Sequence, residues 1–305
     1  MATIQTVLGA IPSEEMGFAL VHEHVVCDFI GAEETTPDRW DADEVVEVMA
    51  PYLQELVDLG VSTFVDCTPA YIGRDVTVLQ RLSQKTGLHI LSNTGWYKVP
   101  YLPARAFEQS AEEIAAEWIA EWEQGIDGTD VRPGLIKIAV NPGPLVPVQR
   151  TIVKAAALTS LSTGLTIAAH TGHGRAAMES LDIAEATGLP LDRYIVVHAQ
   201  QIRDRQERLT LAERGAWLEY DGIDVGTAAW HADLVCEAFE EGFADQVLLS
   251  HDAGWYSVGE PKGGTVRPFA TLFSDLMPLL EARGIGQDVI DKLCVANAAR
   301  AFAIR

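Results

Sequence analysis

Eight short apolar segments, separated by helix-sized stretches, limit the folds open to this chain more than any other feature of its sequence. They cover residues 17–24, 62–68, 89–95, 135–140, 165–170, 194–199, 216–222 and 246–252. Many of them are rich in β-branched residues and apolar nearly throughout, which is typical of parallel strands that are covered on both faces. Each segment is therefore predicted to be a strand of a parallel sheet.

The stretches between these strands have the periodicity of amphipathic helices. Helices are predicted at residues 42–59, 110–124, 148–161, 174–187, 204–214, 231–242 and 268–283. Eight strands alternating with helices favour an α/β fold of the closed (β/α)8 type, the TIM barrel, over an open doubly wound sheet. An open sheet would usually carry a glycine-rich phosphate loop after its first strand, where this chain has the sequence HEHVV instead.

Length and charge limit the partners of the chain. Its 305 residues suit one barrel, and no linker or composition shift divides residues 1–305, so a single domain is expected. A net charge of −22 would be repelled by nucleic acid and by anionic membranes, so neither is expected as a partner. No signal peptide, membrane span or redox pair of cysteines is evident. We expect a soluble cytoplasmic protein that acts on a small molecule.

Histidines and an aspartate stand at the carboxyl ends of four predicted strands, where reactive residues gather in barrel enzymes. His22 and His24 end the first strand, and alternation along a strand points both side chains into the barrel. His170 ends the fifth strand, His198 the sixth and Asp252 the eighth. A single strand-end histidine is more often a hydrogen-bonded core residue. Imidazole and carboxylate together, however, are the ligands that zinc and its first-row neighbours prefer, so the set predicts a metal site.

Lys137 lies in the predicted fourth strand. The isoleucines beside it take the helix-facing surface, so the lysine must face the barrel interior. Burial lowers the pKa of a lysine, and a neutral amine can react with carbon dioxide to form a carbamate. A carbamate has a negative charge and two oxygens, so it can bridge two metal ions. The alternative is an ion pair with a buried acid such as Asp66 or Asp221, which the strand-end histidines make the weaker interpretation.

These residues resemble, in order, the ligand set of the phosphotriesterase family within the amidohydrolase superfamily. That family has an HxH on strand one, a carboxylated lysine on strand four, histidines on strands five and six and an aspartate on strand eight. The resemblance extends to the opening TVLGAI…GFALVHEH, to GIDGT before VRPGLIK and to the closing VANAAR, and so it spans nearly the whole chain.

The resemblance implies a hydrolase with two divalent cations per chain. Zn2+ is favoured, and Co2+, Mn2+ or Fe2+ are alternatives. The buried ion would be held by His22, His24 and Asp252. The more exposed ion would be bound by His170 and His198, and a carbamate on Lys137 would bridge both. A hydroxide between the ions would attack the substrate, and Asp252 would receive its proton. Because the family commonly forms homodimers, a homodimer is expected.

The substrate loops resemble the family less closely. Tyr97 matches a tyrosine that phosphotriesterase-like lactonases place beside the hydroxide. Those lactonases carry an arginine after the strand-seven aspartate and paraoxon-hydrolysing members carry a histidine, whereas this chain has Gly222. The relay aspartate that follows the strand-six histidine in phosphotriesterases is Gln201 here. Both departures weaken an assignment to organophosphates or to acyl-homoserine lactones in particular.

The eighth loop, residues 253–267, supplies further substrate-binding candidates. They are Trp255, Tyr256 and Arg267. Lys262 and Arg267 could anchor an anionic substrate group through charge-assisted hydrogen bonds, although exposed cations are commonly only solvated. His251 is expected to point outward and to be structural, because its neighbour Asp252 points inward.

Together these features favour hydrolysis of a carboxylic ester, above all a lactone, by a metal-bridging hydroxide. Asp252, Tyr97 and Lys137 are the predicted catalytic residues. An amidase or a phosphotriesterase on the same site is the alternative among enzymes. A metal-bound binding protein without turnover is a weaker alternative, because it would be expected to lack part of the ligand set, and all six ligand positions are present here.

Overall fold

The computed structural model describes residues 2–304, and its barrel strands lie where the sequence predicts them. The strands are β1 (Thr3–Thr6), β2 (Gly9–Pro12), β3 (Ala19–Cys27), β4 (Thr63–Asp66), β5 (His89–Leu91), β6 (Asn93–Thr94), β7 (Leu135–Ala139), β8 (Ile167–His170), β9 (Tyr194–Val197), β10 (Trp217–Tyr220), β11 (Val247–Leu249) and β12 (Gly254–Ser257). The eight predicted segments correspond to β3 through β11, with β5 and β6 forming the third barrel strand.

Helices follow the barrel strands and cover the outside of the sheet. They are α1 (Ala42–Asp58), α2 (Val76–Thr86), α3 (Ala111–Gln124), α4 (Pro147–Thr163), α5 (Gly174–Ala186), α6 (Arg205–Glu213), α7 (Ala228–Glu240), α8 (Met277–Ala282), α9 (Gln287–Asp291) and α10 (Asn297–Phe302). Segments of π-helix, Leu272–Leu276 and Lys292–Ala296, run directly into α8 and α10. All seven predicted helices are present.

Side-chain caps set the starts of the first helices. Asp41 accepts hydrogen bonds from two backbone N–H groups of α1, and Asp75 does the same for α2. Ser110 and Glu113 form a reciprocal capping box at the start of α3. Such caps satisfy N–H groups that have no partner inside the helix. They explain why these helices begin directly after the loops at the carboxyl ends of the strands.

Parallel hydrogen bonding closes the sheet into a barrel. β6 through β11 form one sheet in chain order, and β3, β4 and β5 continue it, with β12 added beside β3. The first and last barrel strands meet where His22 N donates to Ser250 Oγ at 2.9 Å and Asp252 N donates to His22 O at 3.0 Å. The predicted (β/α)8 barrel is therefore confirmed.

Glu23 is a buried carboxylate at this closure. Its Oε1 accepts from Ser250 Oγ at 2.8 Å and from His251 N at 2.9 Å, and its Oε2 accepts from Ala253 N at 2.8 Å. His251 Nδ1 lies 2.8 Å from the same Oε1, and its Nε2 accepts from Leu272 N at 3.0 Å. Since both ring nitrogens of His251 are engaged away from the barrel axis, this histidine is structural, as predicted.

The apolar core has two parts. A large outer cluster lies between the strands and the surrounding helices. A smaller inner cluster fills the barrel and its amino-terminal end, where Ile4, Met16 and Phe302 pack beneath inward-facing strand residues. The hairpin β1–β2 and the helix α10 thus close the end of the barrel opposite the strand-end histidines. No helix among residues 2–304 is both long enough and apolar enough to cross a membrane.

Candidate metal centre

The structure brings all six predicted metal ligands together at the carboxyl end of the barrel. They come from β3, β7 and β8 and from the positions that follow β9 and β11: His22, His24, Lys137, His170, His198 and Asp252. Four of them are buried, whereas His170 and Asp252 are partly exposed. The loops that follow the strands surround this cluster.

One half of the cluster is gathered around Asp252. Its Oδ1 lies 3.1 Å from His24 Nε2 and 3.7 Å from His22 Nε2. Lys137 Nζ lies 3.2 Å from the same His22 Nε2. These four side chains therefore direct one nitrogen or oxygen atom each towards a common point.

The other half pairs His170 with His198. Nδ1 of His170 lies 2.7 Å from Nε2 of His198, and the two ring centroids are 4.3 Å apart. The halves are continuous, because ligand atoms of His22, His198 and Asp252 all lie within 4.8 Å of one another. The arrangement has the size and composition of one polynuclear centre.

Buried carboxylates orient two of the histidines. Glu219 Oε1 lies 2.6 Å from His22 Nδ1, and Asp221 Oδ1 lies 2.5 Å from His198 Nδ1. A carboxylate holds the proton on the Nδ1 that it faces, so the lone pair of each ring is on Nε2 and points into the cluster. This pairing is the arrangement that metal-binding histidines usually have.

His24 is oriented by a hydroxyl group instead of a carboxylate, since its Nδ1 lies 2.8 Å from Thr68 Oγ1. Burial lowers the pKa of His24 to about 4, against the opposing effect of Asp252. Burial also lowers the pKa of His170, with a further contribution from His198. Both rings are therefore neutral at pH 7 and have a lone pair to donate. The donor set fits first-row divalent ions.

Lys137 is buried, with 1% of its surface exposed. Within residues 2–304 it forms no ion pair with Asp66 or Asp221. Asp66 accepts from the backbone N–H groups of Val25 and Thr68, and Asp221 is engaged by His198. The structure therefore does not contain the ion pair between Lys137 and Asp66 or Asp221 that was the alternative explanation of a buried lysine.

Two members of the cluster have an uncommon backbone conformation. His198 has a φ of 59° and Asp252 a φ of 51°, which place both in the left-handed region. Residues other than glycine seldom adopt it, and such local strain tends to occur at functional sites. His198 directly follows β9 and Asp252 lies three residues after β11, where the chain turns into its loop.

Tyr97 and Trp255, two of the predicted substrate residues, border the cluster. Tyr97 Oη lies 3.3 Å from His170 Nδ1, and burial raises the pKa of this phenol. The Trp255 ring meets the His24 ring edge-on with 5.5 Å between centroids. Both side chains are partly exposed, so a substrate entering the barrel mouth would touch them.

Arg267 and Tyr256 have structural partners. Arg267 Nη1 donates to the backbone oxygen of Asp252 at 2.7 Å, which ties loop eight to the strand end. Tyr256 is 4% exposed, and its hydroxyl donates to Glu44 on α1. Tyr256 is therefore directed at a helix and not at the cluster. A Cβ at Gly222 would lie 3.6 Å from Gln200 Nε2, an ordinary van der Waals contact, but the φ of 69° at this residue is one that residues other than glycine seldom adopt.

Lys98 and Glu219 are site residues that the sequence analysis missed. Lys98 Nζ lies 2.5 Å from His170 Nε2, although nothing in the sequence distinguishes this loop lysine from a solvated one. Its position directly after Tyr97 was the available signal. Glu219 could have been found by strand alternation, because it lies two residues before Asp221 and so shares its inward face.

A closed (β/α)8 barrel with imidazoles, carboxylates and a buried lysine at the carboxyl ends of its strands defines the class of metal-binding barrel hydrolases. The Phosphotriesterase family profile matches residues 2–302. The chain belongs to the phosphotriesterase family, as its sequence motifs predict. This family consists of hydrolases with a binuclear metal centre.

Individual relatives match along almost their whole length. The phosphotriesterase homology protein of Escherichia coli (strain K12) is 27% identical over 292 residues, covering 94% of this chain and 98% of that protein. The N-acetyltaurine hydrolase of Tetraodon nigroviridis is 26% identical, with 96% of each chain covered. A solved structure from the engineering of organophosphate hydrolysis activity from a weak promiscuous lactonase template has a TM-score of 0.88 and 28% identity, covering 98% of this chain and 99% of its own.

Proposed function

We propose that this protein is a binuclear metal-dependent hydrolase of carboxylic esters and that lactones are its favoured substrates. The observation that carries the proposal is the orientation of the histidines. Glu219 and Asp221 face the Nδ1 atoms of His22 and His198 at 2.6 and 2.5 Å, so the Nε2 lone pairs of both rings point into the cluster around Asp252. Ring nitrogens with free lone pairs that point at other donor atoms are what a metal centre requires.

The residues that would hold the two ions are those gathered in the cluster: His22, His24 and Asp252 for one, His170 and His198 for the other. Lys137, as a carbamate, would bridge them. Its burial at 1% exposure and its contact with His22 support this role. Zn2+ is the favoured metal because imidazole and carboxylate are its usual ligands. When bound, two such cations lower the pKa of a water and polarise a scissile carbonyl.

Asp252 is suited to accept the proton that hydrolysis releases. Its side chain is 23% exposed, whereas that of His22 is 2% exposed. Its Oδ1 faces the cluster, 3.1 Å from His24 Nε2. A carboxylate that touches both the reacting centre and the solvent can take a proton inside and release it outside. Asp252 is therefore proposed as the general base.

Tyr97 is proposed to donate a hydrogen bond to the substrate. Its hydroxyl is at the edge of the cluster, and burial raises its pKa, so the phenol is protonated at neutral pH. A fixed O–H beside the reacting carbonyl stabilises negative charge that develops on the carbonyl oxygen. Lactonases of this family, which the sequence resembles, place a tyrosine here.

An amide bond is the second candidate for the scissile group. It is favoured by the relative from Tetraodon nigroviridis, which is named an N-acetyltaurine hydrolase. The ester is preferred because the solved relative derives from a lactonase template and because Tyr97 matches the lactonases. A phosphotriester ranks lower, since Gly222 and Gln201 stand where phosphotriesterases carry histidine and aspartate.

The proposal is tested with a panel of γ- and δ-lactones, aryl esters, N-acyl amides and paraoxon, each assayed with metal-loaded and chelator-treated protein. We expect close to two ions per chain, turnover of lactones or esters above that of paraoxon, and low rates on long-chain acyl-homoserine lactones. Chelation should abolish all of these rates. One ion or none in fully active protein would exclude the binuclear centre, and paraoxon turnover above every lactone would exclude the assigned specificity.

A further inference from the structure

Lys98 is a cation without a counter-ion at the edge of the proposed metal centre. Within the described part of the chain, residues 2–304, no carboxylate lies within ion-pair distance of its Nζ. Its two close neighbours are His170 Nε2 at 2.5 Å and the ring of Tyr97, whose centroid is 5.3 Å away. Neither group carries a negative charge.

Many other cations of the chain do have carboxylate partners. There are 44 acidic residues for 22 lysines and arginines, so carboxylates are available to most cations. Arg74, Arg105 and Arg208, for example, each have a carboxylate partner within 2.7 Å. A half-buried ammonium that lacks such a partner is costly unless an anion from outside pairs with it.

An arc of four aromatic rings leads from one side of the metal centre to Lys98. The aromatic arc consists of Trp255, Phe29, Tyr101 and Tyr97. Successive ring centroids along it are 6.1, 5.2 and 6.0 Å apart, and its ends lie 5.5 Å from the His24 ring and 5.3 Å from the His170 ring. Phe29 is 39% exposed. The arc is a continuous apolar surface beside the reacting centre.

The arc also carries hydrogen-bond donors. Trp255 Nε1 is buried and lacks a hydrogen-bond partner among the described residues. Tyr97 contributes a second donor beside Lys98. Arg267 and Lys262 are the cations that the sequence suggested as anchors, but Arg267 is engaged by the Asp252 backbone and Lys262 is exposed. Lys98 is thus the cation that faces the site.

We infer that the substrate carries a permanent anionic group, a carboxylate or a sulfonate, a few bonds from its scissile ester or amide. Lys98 pairs with this anion, and the apolar part of the substrate lies on the aromatic arc. This inference rests on the proposed function and narrows it, because neutral lactones and neutral esters would leave the ammonium unpaired. Lys98 and the aromatic arc would thus select the substrate at the mouth of the barrel, without any change in the proposed metal ligands.

Binding of non-hydrolysable probes tests the inference independently of turnover. The probes are 3-phenylpropane-1-sulfonate and the neutral 3-phenylpropan-1-ol, titrated calorimetrically into metal-loaded protein. Lys98→Met should weaken sulfonate binding roughly tenfold or more, as expected for a charge-assisted hydrogen bond, and change alcohol binding by less than about twofold. Lys98→Arg should retain the affinity for the sulfonate. Lys85→Met, which removes an exposed lysine from α2, is the matched control and should bind both probes like the wild type.

Turnover then connects the anchor to the substrate. A γ-butyrolactone with a carboxylate substituent should have a higher kcat/KM than the same lactone with a carboxamide, and Lys98→Met should abolish this preference through KM. Equal sulfonate affinity in the wild type and Lys98→Met would overturn the inference. An equal decrease in affinity for the sulfonate and the alcohol would overturn it as well. Loss of metal in Lys98→Met would also overturn it, by making Lys98 part of the centre. If no ester or amide is hydrolysed, the proposed function fails, and the sulfonate titration still decides the role of Lys98.

Discussion

The two ends of the barrel are built from the same strands and have opposite properties. At the amino-terminal end, Ile4, Met16 and Phe302 fill the opening with apolar side chains that are almost completely buried. At the carboxyl end, histidines, carboxylates and a lysine gather, and residues such as His198 adopt a strained backbone. Because each strand contributes to both ends, one end can supply stability while the other keeps costly polar groups in place.

The largest effect on the carboxyl end is expected from Lys137→Ala. This change should remove at least one ion per chain and lower kcat by about a thousandfold or more, because a bridging ligand contributes several kcal/mol of charge stabilisation. Metal analysis and steady-state kinetics measure both quantities. Short carboxylic acids added to the variant should restore part of the activity, since they replace the bridging oxygens. Full activity without such additives would refute the bridging role.

At the amino-terminal end, Phe302→Ala should lower the free energy of unfolding by about 3–5 kcal/mol, because Phe302 is 1% exposed within the inner cluster. Metal content and kcat should be unchanged at temperatures where the variant is folded. Chemical denaturation measures the stability. Phe239→Ala, at a residue that is 52% exposed, is the control and should stay within about 0.5 kcal/mol of the wild type. Loss of metal from folded Phe302→Ala would show that metal binding at the carboxyl end depends on packing at the amino-terminal end.

A smaller effect, confined to the reaction, is expected from Tyr97→Phe. Removal of one hydrogen-bond donor to developing charge should lower kcat roughly a hundredfold. Metal content and stability should stay as they are, because no proposed ligand is lost. Tyr52→Phe on α1 removes a hydroxyl far from the barrel mouth and is the matched control. An unaltered rate in Tyr97→Phe would exclude it from the chemistry.

The smallest effect should follow Glu219→Gln. The amide cannot hold the proton on His22 Nδ1 as a carboxylate does, so metal affinity should fall by about tenfold to a hundredfold. A competition titration with a chelator measures this affinity, and saturating metal should restore most of the rate. Glu213→Gln, at an exposed position on α6, provides the comparison. Unchanged affinity would show that Glu219 does not orient His22.

The difference between the two ends also explains which features were predictable from sequence. Strand periodicity is local, so the strands, the barrel and the inward direction of His22, His24 and Lys137 follow from alternation. The six proposed ligands could be grouped because all carboxyl ends of parallel strands meet at one edge of the sheet. The hairpin β1–β2 and the 11-residue helix α2 were not among the predicted elements, and the hairpin strands have only four residues each, too few for a clear periodic signal.

Loop side chains were the least predictable part of the site. Lys98 and Tyr256 both lie outside the barrel strands, where the direction of a side chain depends on tertiary packing and not on spacing along the chain. Packing turns Lys98 to His170 and turns Tyr256 to Glu44 on α1. No sequence pattern indicates either orientation. The sequence analysis therefore predicts an anchoring cation in loop eight and not at Lys98.

The closure of the barrel at Glu23 and His22 has a consequence for the order of events during synthesis. His22 and Ser250, which are hydrogen-bonded, are 228 residues apart in the chain. His22 and His24 are therefore synthesised long before Asp252, and the nascent chain contains only part of the proposed metal site for most of its translation. The proposed site is complete only once Asp252 has been made, and ions that join the first strand to the last would then stabilise the folded protein against reopening.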